Sequence, residues 1–206
     1  ENKNTYLHIL ANKLKAEVVH HNNFIGGRYS VLSEVGMLPV ELMGLSPNSF
    51  KQFNNLVKNK KFLNSLITNV NSILHFINKK KFNSIIINYD ENSENLLNWY
   101  QQLVAESLGK KQRGVLPIIS NMPKDNHSVM QLYLDGFQNN FFTFFYTRDK
   151  KLMKINNDLL IQNKRYLKNK YINEILFAQK KGTENVFKKK IFHSEVLKLK
   201  KEMRKL

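Results

Sequence analysis

Three short segments of this chain combine residue types that can bind an anion or move a proton. The first is Gly26-Gly27-Arg28. Paired glycines let backbone N–H groups approach a ligand closely, and an arginine beside them supplies a fixed charge and a fork of donors. Together they could hold a phosphate or stabilise an oxyanion that develops during a reaction. An ordinary turn with a surface arginine would have the same sequence, so both interpretations stay open.

The second segment contains a glutamine and a glutamate four residues apart, Gln102 and Glu106. On a helix these two side chains share one face. Glu106 lies just before Gly109, where a helix often stops, and the helix dipole disfavours a carboxylate there. Such a carboxylate is a better proton acceptor, which suits a general base. The alternative is a solvated glutamate on the protein surface.

The third segment, Asp125-Asn126-His127-Ser128, opens a predicted helix. A histidine in this position could act as an acid or a base near neutral pH, although a loop histidine can also simply cap or pack. No spacing of His, Asp and Glu suggests a metal site. The chain has no cysteine, which excludes disulfides, thiolate metal sites and cysteine nucleophiles.

Strands and helices alternate along the predicted structure, which indicates an α/β domain with a mainly parallel sheet. Ligands bind such sheets at the carboxyl ends of the strands, where the predicted loops 24–30 and 121–127 lie. The predicted strands are 16–20, 82–89, 114–120 and 141–147. The predicted helices are 30–45 (with Pro39 and Gly44 as an interruption or a stop), 49–57, 60–78, 93–109 and 127–135, followed by a helical pattern from 156 onward.

Composition indicates a globular protein, because 42% of the 206 residues are hydrophobic and no apolar run reaches the roughly 18 residues of a membrane span. No signal-peptide pattern opens the chain, so we expect an intracellular protein. Residues 180–206 carry ten Lys or Arg and three Glu, which is +7 of the net charge of +17, and the remaining charge is spread over the predicted helices. Without a recognisable nucleic-acid motif, this charge alone does not predict nucleic-acid binding.

The three segments, in this order, resemble the phosphoglucose isomerase family. The family's first signature is similar to Phe24-Ile-Gly-Gly-Arg-Tyr-Ser-Val-Leu-Ser-Glu-Val-Gly36, and the segment with its catalytic glutamate is similar to Trp99–Lys110. The segment with its catalytic histidine is similar to Asp125–Ser128 followed by Gln131-Leu-Tyr133. The resemblance extends from about Leu7 to Phe187.

The resemblance implies a fold and an activity. The fold would be the three-layer αβα sandwich of sugar isomerases, with a mainly parallel sheet and a helical C-terminal region. The activity would be the interconversion of glucose 6-phosphate and fructose 6-phosphate through a cis-enediol, in cytoplasmic glycolysis and gluconeogenesis. No metal or organic cofactor is implied.

The resemblance also implies a role for individual residues. Glu106 would be the base that moves a proton between C2 and C1 of the open-chain sugar. Arg28, with the backbone of Gly27, would stabilise the negative oxygen of the intermediate. His127 would help to open the sugar ring and would reach the active site from the neighbouring subunit of a homodimer. Gln102 would contact the substrate.

Two family features have no counterpart in this sequence: a Ser/Thr-rich phosphate loop and a Gln-x-Gly-Val-Glu stretch with a lysine. We therefore expect an incomplete enzyme with little activity by itself. Residues 1–45 would end a first lobe, residues 46–187 would form the second lobe, and residues 188–206 would be a basic amphipathic tail. Glu34 stands where the family often has a small residue or proline. A non-catalytic sugar-phosphate-binding module of the same fold is the alternative function.

Overall fold

The computed structural model describes residues 5–147, 153–190 and 197–198. The chain forms two compact units, residues 1–64 and residues 65–205, and each is described by itself. The lobe boundaries at residues 45 and 187 stay a prediction. The predicted tail lies mostly outside the described residues.

The first unit is built from short helices with little buried surface. Its helical segment at 30–45 is confirmed in its central part, where Pro39 is accommodated within a helix that ends at Leu42. Gly44 then turns the chain with a φ of +75°, a left-handed conformation that favours glycine. The helices are α1 (Tyr6–Lys13), a 3-10 helix (Gly27–Leu32), α2 (Glu34–Leu42), α3 (Pro47–Lys51), α4 (Phe53–Lys58) and the start of α5 (Lys60–Asn78).

The predicted strand at residues 16–20 is wrong. This segment is neither helix nor strand, and its residues are exposed. A β-branched run becomes a strand only when a neighbouring strand pairs with it, and the described part of the first unit contains no strand. The loop at residues 24–30 therefore follows an exposed, irregular segment instead of a strand.

The second unit is organised around a parallel sheet, as predicted. Its strands are β1 (Asn83–Asn88), β2 (Leu116–Asn121), β3 (Asn140–Phe145) and the two-residue β4 (Leu197–Lys198). They lie in the order β2-β1-β3-β4, and every pair is parallel. The central strand β1 is buried along most of its length, as expected for a strand covered on both faces.

Helices cover both faces of this sheet. The chain leaves β1 towards one edge through α6 (Glu94–Leu108) and returns past β1 to β3 through α7 (Asp125–Ser128) and α8 (Met130–Asp135). Right-handed crossovers in opposite directions place these connections on opposite faces. The remaining helices are α5, whose predicted bounds are confirmed, α9 (Ile172–Lys190) and the 3-10 helices Glu91–Ser93, Asn157–Leu159 and Gln162–Leu167.

Alternate residues of the strands form two cores. On one face, Phe76 of α5 stacks on Phe141 of β3 with ring centroids 5.0 Å apart. On the other face, Phe187 of α9 contacts the edges of Phe142 and Phe144 at 4.7 and 5.4 Å. This αβα layering confirms the predicted fold class.

Candidate functional site

Short-range hydrogen bonds shape the segment that carries Arg28. Gly26 is extended, and the 3-10 helix begins at Gly27. The N–H of Tyr29 donates to the carbonyl of Gly26 at 2.8 Å, and the hydroxyl of the buried Ser30 donates to the carbonyl of Gly27 at 2.8 Å. Arg28 therefore projects from a turn that local bonds hold in place.

The two glycines of this segment border open space. A Cβ atom added to Gly26 or Gly27 would meet no atom within 4 Å, and neither residue has a left-handed φ. The fold of the first unit therefore does not itself demand glycine here. At Gly36, by contrast, an added Cβ would overlap the carbonyl of Val31. The space beside Gly26 and Gly27 leaves room for a ligand to approach the backbone.

Gln102 and Glu106 meet on α6 as their spacing predicted. The amide nitrogen of Gln102 donates to Oε1 of Glu106 at 2.9 Å, and both side chains are exposed. Leu97, on the opposite side of the helix, is buried. Trp99 shares the outward face because it precedes Gln102 by three residues and Glu106 by seven. The predicted base thus points away from the sheet.

Two hydrogen bonds fix the direction of α6 along β2. Glu94, at the start of the helix, accepts from the amide of Asn121 at the end of β2, at 2.7 Å. Gln101 donates to the carbonyl of Pro117, near the start of β2, also at 2.7 Å. The helix therefore runs antiparallel to the strand, and Glu106, five residues beyond Gln101, lies at the amino edge of the sheet.

His127 lies at the other edge, where β2 ends. After the cis peptide between Met122 and Pro123, α7 begins at Asp125, whose Oδ2 accepts from the backbone N–H of Asn121 at 2.7 Å. The same oxygen accepts from the hydroxyl of Ser120 at 3.1 Å. The carboxylate thereby closes the loop that presents the exposed His127.

A buried asparagine links the ends of β1 and β2. The amide of Asn88 donates to Oδ1 of Asn121 at 3.0 Å, and its own Oδ1 accepts from the N–H of Asp90 at 2.9 Å. Ser93, predicted to cap α6, does occupy the N-cap position, but its hydroxyl donates to Asp90 at 2.6 Å. Sequence reasoning missed Asn88, although a polar residue ending the apolar run Ile85–Ile87 was a signal for it.

Within the second unit, Glu106 and His127 are far apart. Four residues of β2 from Pro117 to Asn121 span about 13 Å, and five residues of α6 from Gln101 to Glu106 add about 7 Å. Roughly 20 Å therefore separate the levels of the two side chains along the strand direction. The fold of this unit does not bring them together. Gly27 and Arg28 belong to the first unit.

Helix α9 carries an ion pair whose carboxylate, that of Glu184, is buried. Lys180 Nζ lies 2.5 Å from Oε1 of Glu184, and Lys181 Nζ lies 3.5 Å from Oε2. Burial acts to raise the pKa of Glu184, but the hydrogen bond and charge of Lys180 and the charge of Lys181 outweigh it, so this pKa is lowered.

Tyr89 joins this pair to the end of β1. Its hydroxyl lies 2.7 Å from that of Thr183, and burial raises the pKa of Tyr89. Because Thr183 precedes Glu184 directly, the tyrosine connects the strand end to the helix turn that holds the ion pair.

The described residues contain no group of three or more His, Asp or Glu side chains that could hold a metal ion. Among the same residues, no helix is both long enough and apolar enough to cross a membrane.

Comparison with known proteins relates the chain to one family of enzymes. The family model described as phosphoglucose isomerase matches residues 14–131. The glucose-6-phosphate isomerase of Methanocaldococcus jannaschii is 30% identical over 154 residues, which are 68% of this chain and 38% of that protein.

Bacterial relatives are similarly distant. The glucose-6-phosphate isomerase of Mycoplasmopsis pulmonis is 33% identical over 159 residues, which are 73% of this chain and 37% of that protein. That of Campylobacter jejuni is 30% identical over 183 residues, which are 86% of this chain and 45% of that protein. The chain thus spans less than half the length of each of these relatives.

A solved structure shares the fold. The crystal structure of a hypothetical protein from Thermus thermophilus superposes with a TM-score of 0.70 and 22% identity, over 93% of this chain and 48% of that one.

Proposed function

Because the chain belongs to the phosphoglucose isomerase family, we propose that it carries the isomerising centre of an enzyme that interconverts glucose 6-phosphate and fructose 6-phosphate. The observation that carries the proposal is the Gln102–Glu106 pair, which lies within the matched segment and faces away from the sheet. We propose a cytoplasmic enzyme that uses no metal or organic cofactor.

Glu106 acts as the base in this proposal. Its carboxylate removes the proton from C2 of the open-chain glucose 6-phosphate, which leaves a cis-enediolate. It returns that proton to C1 while the proton of the C2 hydroxyl passes to O1, which gives fructose 6-phosphate. The hydrogen bond from Gln102 restricts the orientation of the carboxylate, and a fixed orientation is what efficient proton transfer requires.

Arg28 acts on the charge that develops on the oxygen of this intermediate. A Cβ atom at Gly27 would meet no atom within 4 Å, so a sugar oxygen can approach the backbone N–H beside Arg28 closely. Donors that are already in place when charge develops stabilise the transition state without reorganisation.

His127 acts on the ring oxygen from a second copy of the chain. Since Glu106 and His127 lie at opposite edges of one sheet, one copy of the second unit cannot supply both groups to the same sugar. A two-fold dimer solves this, because each residue of a self-complementary interface meets a different residue of its partner. We therefore propose a homodimer with two shared sites.

Mixing two inactive variants tests this arrangement. The activity is measured in a chimera, defined as the Campylobacter jejuni glucose-6-phosphate isomerase in which this chain replaces its matching segment. Glu106→Gln and His127→Asn versions are assayed separately and after refolding together. Random mixing makes half of the dimers hybrid, each with one intact site, so about a quarter of the unmutated activity should return.

The outcomes separate the alternatives. No recovery on mixing would contradict the shared site. An unmutated chimera that binds fructose 6-phosphate but never converts it would contradict the isomerase and favour a sugar-phosphate-binding module.

A further inference from the structure

His21 bridges the two ends of the segment that carries Arg28. Its Nε2 lies 3.1 Å from the carbonyl oxygen of Ile25, the residue before Gly26. Its Nδ1 lies 3.2 Å from Oε2 of Glu34, the first residue of α2. One imidazole ring therefore contacts the chain both before and after the 3-10 helix Gly27–Leu32.

The two partners of His21 determine its protonation state. A carbonyl oxygen and an ionised carboxylate only accept hydrogen bonds, so both ring nitrogens must donate. A neutral imidazole has one N–H and can serve only one of the two, whereas an imidazolium serves both. The geometry therefore fits a positively charged His21.

The state of Glu34 agrees with this charge. A hydrogen bond to its own backbone, the hydrogen bond from His21 and the charges of His21 and His20 lower the pKa of Glu34. Its carboxylate is thus ionised at neutral pH and available as an acceptor. Besides Glu34 on α2, the charge of His20, which precedes His21 in the chain, acts at this contact.

Three further hydrogen bonds of this segment are local. Tyr29 bonds back to Gly26, Ser30 to Gly27 and Ser33 to Ser30, each over three residues. The His21–Glu34 contact spans thirteen residues, so it ties the turn to α2 in a way that these short bonds do not.

We propose that His21 is a positioning residue for Arg28: as an imidazolium it joins the carbonyl of Ile25 to the carboxylate of Glu34 and holds the Gly26-Gly27-Arg28 turn in place. Loss of one proton breaks one of the two bonds and loosens the turn. The effect on catalysis rests on the proposed isomerase function, but the bridge itself does not. If His21 only packed against its neighbours, its protonation would not change the conformation of the Gly26-Gly27-Arg28 turn.

NMR titration of the whole chain tests the bridge without any substrate. Imidazole signals are followed with pH in the unmutated protein, in Glu34→Gln and in the control Glu41→Gln, which removes the same charge from the last turn of α2. We expect the His21 midpoint to fall by about half a unit in Glu34→Gln, as for an exposed ion pair, and to stay unchanged in the control. The amide signals of Gly26 and Gly27 should shift with the same midpoint as His21.

Two results would overturn the proposal: an identical His21 midpoint in all three proteins, or glycine amides that do not follow it. The pH profile of kcat in the chimera adds a separate readout, in which Glu34→Gln moves the alkaline limb to lower pH and Glu41→Gln does not. If the Gly26 and Gly27 amides follow the His21 midpoint but the chimera is inactive, the proposed bridge stands and the proposed isomerase function is contradicted. If the chimera is active but the amides do not follow His21, the isomerase function stands and the bridge is contradicted.

Discussion

The two edges of the sheet in the second unit are built differently. At the carboxyl edge, Asn88, Asn121 and Asp125 bond to one another or to the backbone beneath His127, and Asn88 is fully buried. At the amino edge, an exposed hydrogen bond joins Gln102 to Glu106 within one helix. The loop of His127 thus rests on a bond between strand ends 33 residues apart, whereas the bond that orients Glu106 joins neighbours four residues apart.

His127 and Glu106 therefore obtain their positions from different parts of the fold. A histidine on a loop needs the sheet behind it to have a defined position, whereas a helix already defines the position of a glutamate. Because Glu106 and His127 lie at opposite edges of this sheet, the proposed site takes the two groups from different copies of the chain. Substitutions at the amino edge should therefore change activity, and those at the carboxyl edge should change stability as well.

The largest effect is expected at the amino edge. Glu106→Gln in the chimera should lower kcat by roughly 10²–10⁴-fold, the usual contribution of a general base, with little change in the binding of a non-reacting sugar phosphate. Exchange of the C2 proton of the substrate with solvent measures this directly. Glu91→Gln, which removes the same charge at the carboxyl edge, is the control. A Glu106→Gln variant that keeps a tenth of the activity would remove Glu106 from the mechanism.

A moderate effect on stability is expected at the carboxyl edge. Asn88→Ala leaves the N–H of Asp90 and the side-chain oxygen Oδ1 of Asn121 without their Asn88 partner, which should lower the free energy of unfolding by about 1–3 kcal/mol. Gln102→Ala at the amino edge is the matched comparison and should change it by less than about 0.5 kcal/mol. Urea unfolding followed by the fluorescence of Trp99, the single tryptophan of the chain, gives both values. Equal losses would show that the two edges do not differ.

The smallest effect is expected from the ion pair on α9. The pKa of Glu184 is lower in the folded protein than in the unfolded chain. Its carboxylate therefore stabilises the fold above the unfolded pKa, and this contribution is lost as pH falls through the folded pKa. Thermal unfolding between neutral pH and about pH 3 should show a smaller acid destabilisation for Glu184→Gln than for the unmutated chain. Parallel pH curves for the two proteins would contradict this role.

Local patterns predicted most of the second unit. The apolar spacing of residues 60–78 gave the bounds of α5, and the β-branched run Ile85–Ile87 predicted the central strand, because in both cases periodicity reports directly which face is buried. Ser93 and Gly109 marked the ends of α6 for the same local reason. The Gln102–Glu106 contact also followed from spacing alone, since four residues on a helix always share a face.

The strand predicted at residues 16–20 failed for the opposite reason. Its apolar pair, Val18 and Val19, favours extended backbone, but a strand exists only through hydrogen bonds to a neighbour, which no local pattern can supply. The contacts of His21 with Ile25 and Glu34 could not be predicted from sequence either, because they depend on how the intervening turn folds back.

The sequence by itself determined the alternation of helices and strands and the side chains able to move a proton, because residue type and periodicity are local properties. Only the tertiary structure decided that α6 runs antiparallel to β2. The helix that joins two parallel strands must return the chain to the edge at which the first strand began. The end of α6, with Glu106, therefore lies at the amino edge of the sheet, while His127 follows β2 at the carboxyl edge. Which groups can meet is therefore set by strand order and direction, which follow from packing the whole unit at once.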